Sequence, residues 1–434
     1  MSDNGMDWTT LSWRRPGAAK HCNIVVTGDW SPIRHYWNVM LENPVGIYGD
    51  TLDVLRAADC RIVNLECAMD DGTPIIKSGP NLKGAPEHMI CFDVPKFDAA
   101  TLANNHVMDF GAEAFATTLR LLDERGVKHV GAGMNAAEAT ASLILDVKGL
   151  KVGIVNYTEG QDGTAATVEK PGVFGWDLDL VDARIAELRK TCSTVLAIVH
   201  CGREYIPYPP DYVRESCRRA ADAGADAVIA HHPHVPQGLE LRNGVPIFYS
   251  TGNYVFYQPA DCYYRKLGYL VGLDLDADGK LAGFTLHPYF INDLGMRLLK
   301  GGELAEFSEL MQRLSAPLAE HGSEAWNAVL KELWHSGHLH DIVYTVAKMF
   351  RDETMHGAAR LYNQFTIPAN YEFYPALLRR VIDGKIDDVP DEYFELAREY
   401  DERKIPDGPD YPVECRRGLS IKDMLNETPK KSEA

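Results

Sequence analysis

The segment that decides the fold is Ala227–His234, which reads AVIAHHPH: four small apolar residues run directly into three histidines. Side chains alternate along an extended backbone, so we expect His232 and His234 to point the same way, with His231 turned away into packing or support. Pro233 lacks an amide donor and ends a central strand at this point. Three histidines within four residues, in a chain with 15, indicate a metal site more readily than core packing.

Four earlier apolar runs also stop at potential ligands, namely His21–Thr27 before Gly28-Asp29, Arg61–Leu65 before Glu66, Phe97–Leu102 before Asn104-Asn105-His106, and Thr194–Val199 before His200. Sites in α/β sheets collect at the carboxyl ends of strands. Each residue alone has an ordinary alternative: Asp29 as a turn residue, Glu66 as a surface acid, His200 as a core histidine. Together, carboxylate, amide and imidazole groups predict a site for one or two divalent ions, Mn²⁺, Fe²⁺ or Zn²⁺.

Helical patterns alternate with these strands, at Gly111–Arg125, Leu180–Lys190 and Asp211–Ala223, which predicts an α/β layered domain. Beyond about Asn292 helix formers dominate and strand signals thin out. We therefore expect a catalytic domain over 20–295 and a mainly helical region over 296–425, with flexible termini at 1–19 and 426–434. The helical region is interpreted either as a lid over the site or as an oligomerisation surface.

Charge and composition exclude several partners. Among 434 residues, Lys+Arg minus Asp+Glu is 44 − 62 = −18, which argues against a nucleic acid or an anionic membrane and favours a small-molecule or short anionic polymer substrate. No run approaches the roughly 20 apolar residues that span a bilayer, and the N-terminus lacks the apolar core of a signal peptide. The nine cysteines form no CxxC pair. These features favour a cytoplasmic location and leave a homo-oligomer open.

The motifs, in order, resemble those of the CapA family, associated with bacterial poly-γ-glutamate capsule synthesis and similar to calcineurin-like metallophosphoesterases. They are Gly28-Asp29, Val63–Glu66, Ala103–Gly111, His200–Tyr205, Ala230–Val235 and Tyr249–Phe256. The similarity covers roughly residues 20–290. It implies a four-layer α/β/β/α sandwich with a metal centre at the strand ends, followed here by a helical C-terminal extension. CapA proteins tied to capsule are commonly membrane-anchored, and the lack of an anchor in this sequence favours a soluble intracellular enzyme.

The resemblance also implies roles for individual residues. The metal ligands would be Asp29 and His234 on a first ion, Glu66 bridging two ions, and Asn105, His200 and His232 on the second. His106 would protonate the leaving group or steady developing charge, and Asp109 would orient His106. One departure is Ser31, which stands where the superfamily has a histidine. The first ion is then weak, lost, or completed by another residue such as His35.

Two basic residues are predicted to contact substrate. Arg203 follows His200 closely, and its planar guanidinium suits a carboxylate or phosphate; the alternative is a salt bridge with Glu204 or another acid. Lys83 lies in the long loop Gly72–Pro86, where substrate contacts are common. Lys77, in the same loop, is interpreted as an ordinary surface lysine.

These features lead to three functional hypotheses. The first is a metal-dependent hydrolase in which activated water attacks a phosphoester or an amide such as a γ-glutamyl linkage. The second is a non-catalytic accessory factor in poly-γ-glutamate capsule synthesis. The third is a metalloenzyme of small-molecule metabolism that cleaves another kind of bond. The sequence has no P-loop, strand-linked GxGxxG or GxSxG motif, which argues against known ATP cradles, nicotinamide chemistry and serine hydrolysis.

Overall fold

A computed structural model describes residues 5–160, 163–351 and 354–405. The predicted tail 426–434 and the first four residues lie outside them. The strands are β1 (Met6–Asp7), β2 (Ser12–Arg14), β3 (Cys22–Ser31), β4 (Cys60–Leu65), β5 (Ala99–Thr101), β6 (Lys128–Val130), β7 (Ala132–Gly133), β8 (Leu143–Val147), β9 (Leu150–Thr158), β10 (Gly172–Val173), β11 (Thr194–His200), β12 (Ala227–His231), β13 (Leu239–Arg242), β14 (Val245–Phe248), β15 (Asn253–Phe256), β16 (Leu267–Leu275), β17 (Leu281–Asn292) and β18 (Gly295–Leu298).

The helices are α1 (Tyr36–Glu42), α2 (Thr51–Ala57), α3 (Ile90–Asp93), α4 (Gly111–Glu124), α5 (Ala136–Ala139), α6 (Leu178–Leu188), α7 (Asp211–Asp222), α8 (Gly302–Ser315), α9 (Gly322–His335), α10 (His340–Arg351), α11 (Thr354–Thr366), α12 (Pro368–Tyr371), α13 (Phe373–Ile382) and α14 (Asp391–Glu402). Short 3₁₀ turns occupy Gly46–Tyr48, Pro86–Met89 and Tyr263–Lys266. Every described element from residue 302 to residue 402 is a helix, which confirms a helical C-terminal region; residues 406–425 of the predicted range 296–425 lie outside the described residues.

Two large sheets carry the functional strands. In the ten-stranded sheet, β3, β4, β5 and β6 run parallel, and β16 joins β3 from the other side, antiparallel. In the six-stranded sheet, β9, β11, β12 and β14 run parallel, with β8 and β13 as antiparallel edges. Each sheet therefore has a block of neighbouring parallel strands whose carboxyl ends open on the same side.

Three apolar clusters explain how the layers stack. One joins side chains of both sheets, among them Val26 and Ile198. A second joins the ten-stranded sheet to α4 through Val63 and Phe115, and a third joins the six-stranded sheet to α6 and α7. Near-continuous apolar strands are what burial on both faces requires. The predicted mixed α/β class is confirmed.

The N-terminal segment differs from the expected loose arm. β1 and β2 extend the ten-stranded sheet, with β2 paired to β17, and the Trp13 ring stacks on Phe284 at 6.0 Å between centroids. The strands here are too short to show a pattern in the sequence. They are ordered by pairing with the ten-stranded sheet. In the part of the chain that the structure describes, no helix combines the length and the hydropathy that a membrane span needs.

Candidate metal centre

The predicted strand ends converge at the facing edges of the two sheets. In the ten-stranded sheet Asp29 lies opposite Asn64, directly before Leu65 and Glu66. In the six-stranded sheet His200 lies opposite His231. β3 continues through Asp29, and Gly28 packs so tightly that a Cβ there would lie 2.1 Å from the Gly252 carbonyl oxygen. The Gly-Asp pair is thus a close backbone contact, and the turn alternative is wrong.

Two carboxylates form the base of the cluster. Asp29 and Glu66 are both fully buried. Oδ1 of Asp29 accepts a hydrogen bond from Nδ2 of Asn64 at 2.7 Å, whereas its Oδ2 has no hydrogen-bond partner among the described residues, although His234 Nδ1 lies 3.3 Å away. Neither carboxylate oxygen of Glu66 has such a partner. Buried polar oxygens are normally satisfied, so these unpaired carboxylate oxygens are positions that a cation could occupy.

Three predicted ligands gather around His200. Its Nε2 lies 3.3 Å from Glu66 Oε1, 2.9 Å from Asn105 Oδ1 and 3.1 Å from His232 Nδ1. His200 itself is buried as the last residue of β11. The four side chains come from four separate segments, so their proximity results from the packing of the two sheets.

His232 and His234 do reach the site, but the expected reason is wrong. β12 ends at His231, and both His232 (φ 101°) and His234 (φ 58°) have left-handed backbone in place of an extended one. Such backbone is strained for residues with a Cβ and is typically found at functional sites. His231 turns toward Thr251 Oγ1 at 3.1 Å, in the supporting position expected for it.

The surroundings shift the pKa values of the two carboxyl groups in opposite directions and keep two of the histidines neutral. Burial raises the pKa of Glu66 well above its ordinary value, and the charge of Asp29 adds to this. Burial also opposes ionisation of Asp29, but His234, His231 and Asn64 together outweigh it and the pKa of Asp29 falls. Burial lowers the pKa of His200, and that of His232 to about 4, so both rings are neutral near pH 7. Neutral imidazoles have the lone pair that a metal requires.

The donor groups fit a divalent ion. Three overlapping sets each place one ligand atom per residue within 4.8 Å of one another: Asp29, Glu66 and His234; Glu66, His200 and His232; and Glu204, His232 and His234. Mixed nitrogen and oxygen donors suit Mn²⁺, Fe²⁺ or Zn²⁺. Glu66 belongs to two of these sets, which is the arrangement that a bridging carboxylate needs.

A second buried group adjoins the cluster. His106 Nδ1 lies 2.6 Å from Asp109 Oδ2, and Lys77 Nζ donates to Asp109 Oδ1 at 2.7 Å and to the main-chain oxygen of Asn105 at 2.6 Å. Only 3% of the Lys77 side chain is exposed, so its interpretation as a surface lysine is wrong. The loop that carries it folds inward because Asp109 also accepts the Leu82 amide.

The charge of Lys77 affects its neighbour. Burial lowers the pKa of His106 to about 4, and the Lys77 ammonium adds to that effect while Asp109 opposes it. Burial likewise lowers the pKa of Lys77, against the stabilising charge of Asp109. His106 Nδ1 lies 2.6 Å from Asp109 Oδ2 and 3.2 Å from Lys77 Nζ. Because the carboxylate is the nearer partner and only accepts hydrogen bonds, we assign the proton of the neutral His106 ring to Nδ1 and the lone pair to Nε2.

A cavity of about 390 Å³ lies above the cluster. Asn105, His200 and His232 line one side, and residues of α9, α11, α12 and α14 line the other. Arg203 is in this cavity, with its guanidinium 4.0 Å from the ring centroid of Phe373 and 3.3 Å from Asn370 Oδ1, and it also contacts the His338 ring. The helical region therefore forms a wall of the candidate site.

Other predicted residues lie elsewhere. Lys83 is not among the residues that line the cavity; its Nζ lies 2.6 Å from Asp71 Oδ2 and 5.3 Å from the Phe110 ring centroid. His35 does not complete the first set, because its Nε2 lies 2.9 Å from the Asp293 carbonyl oxygen. Glu204 was not predicted as a ligand, although its position four residues after His200, at a strand end, was a usable signal.

Two sheets that deliver carboxylate, amide and imidazole groups to one buried cluster define an α/β protein with a candidate metal centre. The family model described as "Bacterial capsule synthesis protein PGA_cap" matches residues 23–258, a range that contains the whole cluster. The chain belongs to this family, which confirms the resemblance seen in the motifs.

Curated relatives carry related names. "PGA biosynthesis protein CapA" of Bacillus subtilis (strain 168) is 36% identical over 164 residues, which cover 37% of this chain and 43% of that protein. "Capsule biosynthesis protein CapA" of Bacillus anthracis is 32% identical over 167 residues, covering 37% and 41%. The match thus spans about two fifths of the length of these relatives.

Solved structures show only remote similarity. A putative 5'-nucleotidase from Staphylococcus aureus, in complex with alpha-ketoglutarate, has 15% identity and a TM-score of 0.41, covering 66% of this chain and 58% of that one. A 5'-nucleotidase precursor from Thermus thermophilus has 13% identity and a TM-score of 0.41, covering 73% and 67%. Likeness of this degree is too distant to assign a reaction.

Proposed function

We propose that the chain is a metal-dependent hydrolase with a metallophosphoesterase-like sandwich, cleaving a phosphoester or an amide bond of a small substrate. The observation that carries the proposal is Glu66. Its carboxylate is fully buried, neither oxygen has a hydrogen-bond partner among the described residues, and histidines flank it. A buried unpaired carboxylate costs several kcal/mol, which a bound cation offsets.

The chemistry follows from the groups around that carboxylate. A divalent ion supplies Lewis acidity, which lowers the pKa of water toward about 7 and polarises the bond under attack. Asp29, Glu66 and His234 would hold one ion, and Glu66, Asn105, His200 and His232 a second. These donors come from well-packed strand ends, so little reorganisation accompanies binding.

His106 would handle the proton. Asp109 keeps a proton on Nδ1, and Nε2 is left as the atom that accepts a proton and returns it to the leaving group. Because the pKa of His106 is lowered, little of the ring is protonated at neutral pH. In this role the ring would accept a proton and pass it on quickly. Asp109 acts as the positioning residue of the pair.

Substrate binding would use the cavity and its wall. Arg203 presents a planar cation inside the cavity, three residues beyond His200, and α9 and α12 close over it. A carboxylate or phosphate on the substrate would be oriented there while water is displaced. A volume of about 390 Å³ suits a small molecule or the end of a chain.

Elemental analysis combined with activity tests the proposal. Purified wild-type protein should hold one or two equivalents of Mn, Fe or Zn, and His232→Ala should lose at least one of them. His129→Ala is the matched control and should keep the metal content. It removes a histidine of β6 that lies next to Asp123. Absence of metal from the wild type, with no activity after adding Mn²⁺, Fe²⁺ or Zn²⁺, contradicts the proposal.

A substrate panel decides between phosphoester and amide. Aryl phosphomonoesters, aryl phosphodiesters and γ-glutamyl anilides should be offered to metal-loaded protein, with His200→Ala as the inactive comparison. The names of the curated relatives favour a second candidate, an accessory role in poly-γ-glutamate synthesis. That role predicts metal binding without turnover of any panel member, together with measurable binding of poly-γ-glutamate.

A further inference from the structure

Glu204 is held against the histidine segment by the main chain. The amide of Cys201 donates to the His231 carbonyl oxygen at 3.1 Å, and the amide of Tyr205 donates to that of Pro233 at 2.8 Å. Tyr205 has a left-handed φ of 64°, so the chain turns sharply immediately after Glu204. Two backbone hydrogen bonds and a strained turn thus hold the backbone at Glu204 close to the histidine segment.

The Tyr205 ring reinforces this arrangement. It stacks on the His234 ring with centroids 5.9 Å apart and an interplanar angle of 28°. On Tyr205 the Arg265 guanidinium lies 3.6 Å from the ring centroid. The segment that carries Glu204 therefore packs directly on one of the candidate ligands.

Glu204 lies beside His232 and His234, which belong to the two different candidate ligand sets that contain Glu66. Its carboxylate shares a ligand set with His232 and His234, all within 4.8 Å of one another. Ligand atoms about 2.1 Å from one ion lie up to about 4.2 Å apart, so shifts below about 1 Å would close the set. Glu66 is fully buried, whereas Glu204 is exposed at the cavity, so the two carboxylates differ in their access to solvent.

Glu204 shares His234 with the set of Asp29, Glu66 and His234, which offers only three side-chain ligands. Ser31 is buried at the end of β3. A short hydroxyl is a poor substitute for an imidazole ligand. His35 is engaged by the Asp293 carbonyl oxygen. Asp29, Glu66 and His234 are then three side-chain ligands with a fourth position to fill.

We propose that Glu204 is a further metal ligand, closing the centre from the cavity side next to His232 and His234 and supplying the donor that Ser31 cannot. The inference rests on the proposed metal-dependent function. An anionic donor in place of a neutral imidazole gives the centre three carboxylates, Asp29, Glu66 and Glu204. The centre should therefore retain divalent ions strongly and attract an anionic substrate less strongly than a histidine-completed centre.

Calorimetric titration of Mn²⁺ into chelator-stripped, full-length protein tests the assignment. Wild type should bind two Mn²⁺, and Glu204→Gln should lose one equivalent or bind it at least about tenfold more weakly. A loss of about tenfold is the smallest that is typical even for a residue that only hydrogen-bonds to a metal ligand. Glu204→Asp, which keeps a carboxylate, should bind at an intermediate affinity. Glu159→Gln alters another acid of the same cavity outside the three sets and should bind as wild type.

The outcomes separate this inference from the proposed function. If Glu204→Gln binds Mn²⁺ with wild-type stoichiometry and affinity, Glu204 is not a ligand, whatever its effect on turnover. A loss of turnover alone would make Glu204 a proton-transfer group and overturn the assignment while leaving the hydrolase proposal standing. If wild type binds two Mn²⁺ and hydrolyses nothing, the hydrolase proposal fails, and weakened binding in Glu204→Gln still supports the ligand assignment.

Discussion

Nζ of Lys77 lies 2.7 Å from Oδ1 of Asp109, and both side chains are almost completely removed from solvent, at 3% and 0% exposure. Asp109 also contacts His106, so one buried carboxylate serves a cation and an imidazole together. Lys77 reaches the same point from a loop that has no regular secondary structure. The link ties this loop to the candidate site.

Lys77→Met should therefore destabilise the protein strongly. Removing one partner of a buried ion pair leaves an uncompensated charge and costs about 3 kcal/mol or more. The control is Lys83→Met in the same loop, where lysine and Asp71 are 34% and 72% exposed and the expected cost is below about 1 kcal/mol. Urea unfolding of both variants measures the difference, and equal losses would contradict the buried pair.

Glu159 should make stability depend on pH. It accepts hydrogen bonds from the Gly202 amide at 2.7 Å and the Tyr212 hydroxyl at 2.8 Å, and burial raises its pKa to about 7 against the effect of Tyr212. The unfolded chain ionises this carboxyl at a lower pH, so the folded state is penalised as pH rises from about 5 through 7. The stabilisation that Glu159 gives at low pH is therefore lost above its folded pKa.

Glu159→Gln should gain stability over wild type as pH rises, because the amide stays neutral. It can keep both hydrogen bonds if its oxygen accepts from the Gly202 amide and its NH₂ group donates to the Tyr212 oxygen. The expected change in relative free energy of unfolding between pH 5 and pH 8 is on the order of 1–2 kcal/mol. Glu113→Gln, at an exposed position of α4, is the control and should show a flat difference. Denaturant titrations at several pH values provide the measurement; a flat profile for Glu159→Gln would count against the raised pKa.

Metal removal should lower the stability of wild type but not that of Glu66→Gln. A ligand at about 100 times its dissociation constant stabilises the folded state by about 2.7 kcal/mol. Without metal, Glu66→Gln should be at least as stable as wild type, because it removes a buried carboxylate next to Asp29. Thermal unfolding with excess Mn²⁺ and with EDTA compares the two; a Mn²⁺-dependent rise in the Tm of Glu66→Gln would argue against the assignment of Glu66.

Arg203→Ala should loosen the helical wall of the cavity. The guanidinium bridges the segment after β11 to Phe373 and Asn370, so its loss should cost about 1–2 kcal/mol. Faster hydrogen exchange is expected in α12 and α13, which carry Asn370 and Phe373, with little change in β11. Arg120→Ala, which removes an exposed pair with Glu124 on α4, should leave this exchange unaltered; the same pattern in both variants would mean that Arg203 does not hold the wall.

Local pattern indicated the strands that end at the candidate ligands, together with most of those ligands. β11 and β12 are short apolar runs followed by histidine, and parallel strands present their carboxyl ends together, so the convergence of His200 and His232 was predictable. Sequence pattern did not reveal that β1 and β2 join the sheet, because strands this short have no periodicity to detect.

The identity of the groups at the strand ends, and hence the chemistry of the candidate cation site, was determined by the sequence alone, because strand period and strand end are local properties. Only the tertiary structure decided that Lys77 is buried, that His232 and His234 have left-handed backbone, and that Glu204 lies beside them. Those features arise where loops from distant parts of the chain pack on one another. Such packing depends on shape and on the pairing of buried charge, which no short window of sequence contains.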